Sequence, residues 1–429
     1  MKNSSMAIKN LANRRLGVFP RTLRIPEQFN NGQTLISGTS GSGKTNLIMT
    51  MLEQIAQRGE SAVINDPEGE YLERFYDADR GDWILNPCDA RCAYWHPGDE
   101  VQSYAEALTI ANSFFPTDDR ESHKFFYPAA AKILAVLLAA KPRPEELASW
   151  MGDRREIERR IAASGRQMLM GEDAPEQSSG VTGTLQNGAD SLRLLIPSTD
   201  KEARRTWNAR GWASNPKGWI FLTSSPHLHQ AIMPLHSLWF DLLVMRIRSR
   251  VEGPPVWFVL DELASLRFLP QLHAAITMGR RSAIRLILGM QHKDQLRRHY
   301  GDDIDAILSM PDLRVYLRAG DYSAAEWASQ NIGEAEVERI ATSWSSHENA
   351  ETHRSETLIR RLVLPSEFQA LPPCHGYLQY RGKTVQLQFP LRGFPVKEHR
   401  FIARKSTEVF FSGNATDTQP VENPKRFYI

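Results

Sequence analysis

Nothing in this sequence offers an apolar run long enough to cross a bilayer, which takes roughly 18 or more such residues in succession. The nearest candidate, Ala129 to Ala140, is short and interrupted by Lys132, so it reads as a buried helix. The N-terminus carries Lys2, Lys9, Arg14 and Arg15 but lacks the apolar core of a signal peptide. Cysteine is nearly missing: Cys88, Cys92 and Cys374 are the only three in 429 residues. Cys88 and Cys92 have a CxxxC spacing, but no second Cys or His pair follows at zinc-site distance. Free thiols in a reducing cytoplasm are the reading favoured over a metal site. An excess of either charge is also missing, since the formal net charge is only +2. That value argues neither for nucleic acid nor against it. A DNA-handling chain of this composition has to concentrate its basic groups locally, for instance around a channel formed by several subunits. The expectation is a soluble intracellular chain, long enough for one large domain with an insertion or for two or three ordinary domains.

What is present is a rhythm of strands and helices. Thr34 to Ser37, Ser61 to Ile64, Trp83 to Leu85, Trp219 to Leu222, Val256 to Leu260, Arg285 to Leu288 and Leu313 to Leu317 read as strands. Most are continuous apolar runs, as expected of strands covered on both faces. Helical patterns such as Asn46 to Arg58 and Leu235 to Arg250 lie between them, and the alternation argues for an α/β fold around a parallel sheet. From about Val101 to Pro197 the rhythm breaks into helical patterns alone: Tyr104 to Phe115, Phe125 to Ala140, Pro144 to Met151 and Val181 to Leu195. A connection this long reads as an inserted all-α subdomain, with helices that merely cover the sheet as the alternative. Alternating strands His375 to Tyr380 and Val385 to Leu391 around Arg381-Gly382-Lys383 signal a hairpin. The expected division is residues 1–100 and 198–411 for the α/β core, 101–197 for the insertion, and 412–429 for a mobile polar tail.

The chemistry begins at Gly38-Thr39-Ser40-Gly41-Ser42-Gly43-Lys44-Thr45, which fits GxxxxGK[ST] at every fixed position. A buried strand precedes it and an amphipathic helix follows, the context such a P-loop requires. Its glycines let the backbone curl with N–H groups inward, a cradle for phosphate oxygens, and the helix adds its positive end. Lys44 is placed to hold the β and γ phosphates of ATP, and the Thr45 hydroxyl to ligate Mg²⁺. The strand Val256 to Leu260 ends in Asp261-Glu262. Asp261 is the candidate for the Mg²⁺ shell and Glu262 for the general base that polarises the attacking water.

Gln291, after the strand Arg285 to Leu288, is the candidate γ-phosphate sensor, with a plain capping glutamine as the alternative. Gly279-Arg280-Arg281 lies on the segment between those two strands. Arg280 is the candidate to reach a neighbour's ATP, an effect worth roughly 10³–10⁵ in rate. Arg281 is the reserve, Arg318 a weaker candidate, and a pair of surface arginines the plain reading. Asp66-Pro67-Glu68-Gly69-Glu70 reads as a turn near the nucleotide, and His227, His229 and His292 have no partners at metal-ligand spacing.

Taken together, these blocks resemble the TraD/TrwB-type coupling proteins of conjugative type IV secretion, within the FtsK/HerA-like motor ATPases. The resemblance rests on Leu35 through Thr45, Asn65 to Tyr71, and Leu85-Asn86-Pro87-Cys88-Asp89-Ala90-Arg91 followed by Trp95. It continues in Leu260 to Leu266, Gly279-Arg280-Arg281, Gly289-Met290-Gln291, Arg318 to Asp321, Leu364 to Phe368 and Gly376-Tyr377-Leu378. It implies a RecA-like P-loop core with an all-α insertion, assembled as a hexameric ring with ATP at the interfaces and DNA in a central channel. It also implies partners: DNA bound without sequence specificity, a relaxase, and components of a secretion machine. Family members usually begin with transmembrane helices, whereas a polar and basic stretch precedes the motor here. The expectation is therefore a chain with no transmembrane segment of its own, in the cytoplasm or at the inner face of the cytoplasmic membrane. Two further readings stand beside the DNA motor. One is an ATP-switched adaptor recruiting protein substrates without moving DNA; the other is a chromosome or phage DNA pump.

Overall fold

The continuous apolar runs assemble into the middle of one ten-stranded sheet. The computed structural model describes residues 17–18 and 32–404, apart from 118–120, 166–174, 200–204, 226, 251, 267, 280 and 346–349. In chain order the strands are β1 (Gly17–Val18), β2 (Thr34–Ser37), β3 (Ser61–Asp66), β4 (Trp83–Leu85), β5 (Tyr94–Trp95) and β6 (Thr206–Trp207). They continue with β7 (Trp219–Thr223), β8 (Val256–Leu260), β9 (Ile284–Met290), β10 (Leu313–Tyr316), β11 (Glu334–Ser345), β12 (Ala350–Arg361), β13 (His375–Tyr380) and β14 (Lys383–Gln388). The large sheet runs β1-β14-β13-β10-β2-β9-β8-β3-β7-β4. From β10 to β4 every neighbouring pair is parallel. β13 runs antiparallel to both β10 and β14. The placement that matters is β9, which lies between the P-loop strand β2 and the acid-bearing strand β8.

All residues of β2, β3, β7, β8 and β9 are buried, because helices cover both faces. On one face Ile36, Ile64 and Val259 pack with Leu47, Leu52 and Ile55 of α1 (Lys44–Gln57) and with Leu72 of α2 (Glu70–Phe75). The opposite face turns Leu35, Val63 and Phe258 toward a second core. That core holds helices α3 (Tyr104–Phe114), α4 (Glu121–Ala139), α5 (Pro144–Gly152), α6 (Arg154–Ala163) and α7 (Pro175–Arg193). All of them fall in the chain between β5 and β6, which pair with each other, and the described residues between α3 and α7 contain no strand. Ile133, Leu137 and Leu185 share this core with Leu235, Trp239 and Leu243, so the helical region is continuous with the helix on the sheet. A buried polar joint supports the junction. Glu100 accepts from Trp95 Nε1 at 3.1 Å and from the Ala209 amide at 2.6 Å, and Arg246 reaches Glu106 at 3.0 Å.

The remaining helices are α8 (Ala209–Ser214), α9 (His229–Arg248), α10 (Leu272–Met278), α11 (Lys293–Tyr300), α12 (Asp303–Ser309), α13 (Tyr322–Ile332) and α14 (Pro365–Gln369). Several elements differ from the reading of the sequence. Helix α9 starts at His229 and carries Pro234 inside it, whereas the pattern suggested a start at Leu235. Helix α6 and the long antiparallel hairpin β11–β12 were not anticipated. The hairpin of β13 and β14 is present, and its second strand begins at Lys383. Its turn, Arg381-Gly382, has φ values of 47° and 74°, the pattern of a two-residue hairpin turn that follows sheet twist. Among the described residues no helix is long and apolar enough to cross a membrane. The tail expected at 412–429 lies outside the described residues.

Candidate nucleotide site

The P-loop leaves β2 with its first two amides already committed. Gly38 N–H donates to the Met290 carbonyl at 3.1 Å and Thr39 N–H to the Arg318 carbonyl at 2.9 Å, which moors the loop between β9 and β10. Gly43 then takes a φ of 100°, and a Cβ there would sit 3.0 Å from Cys374 Sγ. Only glycine turns the chain into α1 at this point without strain. No side chain caps α1 at Gly43, and its first turn carries no acid. Ser103, Asp153, Asn208 and Asp321 cap α3, α6, α8 and α13, whereas α2 and α9 also start without a side-chain cap, so the glycine-rich turn ahead of α1 is what sets its start apart. An uncapped helix start behind a glycine-rich turn leaves N–H donors for an anion.

The acids arrive from two strands away. Thr45 Oγ1 donates to Asp261 Oδ2 at 2.9 Å, and Lys44 Nζ lies 3.4 Å from Glu262 Oε2 and 3.6 Å from Asp261 Oδ1. Asp261 Oδ1 is buried without a hydrogen-bond partner. Only the Lys44 ammonium, 3.6 Å away, balances that oxygen, and if Lys44 turns to a phosphate the oxygen needs another cation or donor, so the donor set fits a hydrated divalent cation. β9 makes the approach possible: a Cβ on Gly289 would fall 1.9 Å from the Asp261 carbonyl oxygen. Gln291, just beyond β9, lines the same cleft.

That cleft measures about 890 Å³ and runs from the P-loop over the ends of β3 and β8. Several of its walls come from residues to which the motifs assigned no chemical role. Tyr71 OH donates to Asp261 Oδ2 at 2.6 Å, and burial together with the Asp261 charge pushes the phenol well above its ordinary value. Asp66 accepts from the Leu72 amide at 2.7 Å, and burial raises its carboxyl to about 7. Asn65 Nδ2 donates to Ser265 Oγ at 3.0 Å, and Ser265 Oγ donates to the Glu262 carbonyl at 2.7 Å. His229 Nε2 donates to the Ser265 carbonyl at 3.2 Å, which gives this histidine a structural partner. On the other side Pro373, Cys374 and Leu391 form an apolar wall, and Cys374 N–H donates to the Ser42 carbonyl at 2.9 Å.

The sequence candidates separate by place. Lys44, Thr45, Asp261, Glu262 and Gln291 meet in the cleft, as do Thr39, Ser40, Gly41 and Gly43 of the loop. The turn at Asp66 to Glu70 also lines it, through Asp66, Pro67, Glu68 and Glu70. Arg280 lies outside the described residues, and Arg281 is exposed. Arg318 Nη2 donates to the Ser40 carbonyl of its own P-loop at 3.4 Å. The Asn86 to Arg91 block does not line the cleft. Asp89 holds Arg91 at 2.7 Å and accepts from the Ile402 amide at 3.2 Å, so the block ties the end of β4 to the C-terminal segment. Cys88 within the block and Cys92 just after it are buried free thiols, and burial raises Cys92 to about 12.

A parallel sheet with the P-loop strand inside it, an uncapped helix behind the loop and paired acids two strands away define a P-loop protein with a RecA-like core. The chain belongs to the type IV secretion-system coupling protein family, since the DNA-binding domain of that family matches residues 20–391. It is 26% identical over 401 residues to the coupling protein TraD of Escherichia coli (strain K12), covering 86% of this chain and 54% of TraD. It thus spans about half the length of that relative. The fold matches the conjugative coupling protein TrwBdeltaN70 in an unbound form, with a TM-score of 0.79 at 24% identity over 89% of each chain. Plasmid coupling protein TrwB in complex with ADP and Mg²⁺ gives 0.78 at 24% identity, covering 90% of this chain and 91% of that one. VirB4 of Thermoanaerobacter pseudethanolicus is more distant, at 0.51 and 16% identity, covering 84% and 89%.

Proposed function

We propose that this chain is an ATP-driven DNA motor of the coupling-protein type, and that the cleft at Lys44 binds and hydrolyses Mg²⁺-ATP. The observation that carries the reading is the convergence of Lys44, Thr45, Asp261 and Glu262 at an uncapped helix start. In this reading the amides of Gly38 to Thr45 and the Lys44 ammonium hold the phosphates. Thr45 and Asp261 hold the magnesium shell, which supplies charge neutralisation on the phosphate oxygens. Lys44 is drawn from Glu262 toward the phosphates, and Glu262 takes the proton of the attacking water. Gln291 reads the γ-phosphate from the tip of β9. Arg280 acts across a subunit boundary on the neighbour's ATP. The apolar wall of Pro373, Cys374 and Leu391 suits the flat face of a base.

The functional unit is a homo-hexamer assembled on DNA, with DNA in a central channel and contacts to phosphates rather than bases. The region 101–197 serves as an all-α subdomain between the two parts of the core. The chain works in the cytoplasm, where it links a relaxase–DNA complex to a type IV secretion system. Analytical ultracentrifugation with ATP and DNA tests the assembly: a hexamer-sized species that needs DNA and dissolves as salt rises is expected. A monomer under all conditions would overturn the ring.

A further inference from the structure

The carboxylate of Asp261 is held by two hydroxyls delivered from different elements. Thr45 Oγ1 of α1 and Tyr71 OH of α2 both donate to Oδ2, at 2.9 Å and 2.6 Å, while Oδ1 is buried with no hydrogen bond and has only the Lys44 ammonium, 3.6 Å away, beside it. One donor leaves a carboxylate free to pivot, whereas two donors on one oxygen fix which oxygen faces the cleft. The phenol itself has little freedom, since Tyr71 is only 2% exposed. Its helix is anchored away from the P-loop. Asp66 at the end of β3 accepts from the Leu72 amide at 2.7 Å, and the Lys397 and Glu398 amides donate to the Glu73 carbonyl at 2.8 Å and 3.1 Å. Asp261 is therefore braced by a part of the fold that no P-loop motif describes.

We propose that Tyr71 is a positioning residue for the metal site: its O–H occupies Asp261 Oδ2 and so keeps Oδ1 presented to a divalent cation. The inference rests on reading the cleft as a magnesium–nucleotide site. The bland alternative is that the phenol only fills space beside α1 and happens to find an acceptor.

The two are separated by equilibrium binding of a fluorescent ADP analogue to the full chain, first in EDTA and then across a titration of Mg²⁺. Tyr71→Phe keeps the ring and removes the donor. It is expected to bind in EDTA as the wild type does, and to need about 10-fold more Mg²⁺ for its half-maximal metal effect. Asp261→Asn is expected to shift the metal midpoint at least as far, and the double variant no further than Asp261→Asn alone. An unchanged midpoint in Tyr71→Phe would overturn the proposal, as would two shifts that simply multiply in the double variant. Loss of binding in EDTA by Tyr71→Phe would also overturn it, because the defect would then not lie at the metal. If the wild type binds in EDTA but shows no Mg²⁺ effect, the metal site and this inference fail while the nucleotide cleft stands; no binding with or without Mg²⁺ would overturn the nucleotide reading and this inference with it.

Discussion

At the scale of single residues, the contact between Lys44 and Glu262 is where the proposed function would join binding to chemistry. Their charges lie 3.4 Å apart, so under the proposed function a phosphate that attracts Lys44 would also release Glu262 to act on water. Glu262→Gln is therefore predicted to keep nucleotide binding and to lose turnover by about 10²–10⁴-fold, measured as phosphate release beside equilibrium binding. Equal loss of binding and turnover would contradict the base assignment. Gly43→Ala tests the loop's backbone. A side chain forced to a φ of 100° against Cys374 is predicted to cost about 1–3 kcal/mol, read as a lower melting point. The P-loop and the acid pair were legible because each is a local pattern whose chemistry needs fixed spacing. Asn65 and Tyr71 stood in a recognised block but without a role, and Cys374 in none, because their contacts arise only from the fold, as when β3 pairs Asn65 with Leu260 of β8.

At the scale of elements, α9 carries charged and polar groups into the core beneath the helical region. Asp241 is fully buried, its Oδ1 accepts from the Gln271 amide at 3.2 Å, and burial raises its carboxyl to about 8. A folded-state value above the ordinary 3.8 means the folded protein holds a proton that the unfolded chain releases. Its stabilising contribution is complete below the ordinary value and is lost as pH rises through about 8. Asp66, raised to about 7, pulls in the same direction. Thermal melts are thus predicted to show lower stability at about pH 9 than at about pH 6, with Asp241→Asn flattening the difference by a few degrees. A difference unchanged in that variant would remove Asp241 as its source. The central strands were readable because burial on both faces demands unbroken apolar runs. The start of α9 was hidden by Pro234, which reads as a helix boundary but stands in the second turn, where its missing N–H leaves the Gln230 carbonyl without the usual i+4 donor. Strands β11 and β12 were hidden because they pair only with each other and carry largely polar sequence.

At the scale of the whole molecule, the formal charge of +2 leaves any DNA-binding surface to local grouping of basic side chains and to symmetry. A ring would bring copies of the same basic groups to one axis, and it would place a neighbour's arginine against each cleft. Both properties belong to the assembly, which is why a single chain reveals the nucleotide cleft more fully than the DNA path. The measurement that tests this account most directly is steady-state ATP turnover across a range of protein concentrations, with and without DNA, beside Lys44→Ala. Specific activity is predicted to rise with protein concentration and with DNA, and to be abolished by Lys44→Ala. Activity indifferent to both concentration and DNA would contradict the motor and favour a nucleotide-switched adaptor.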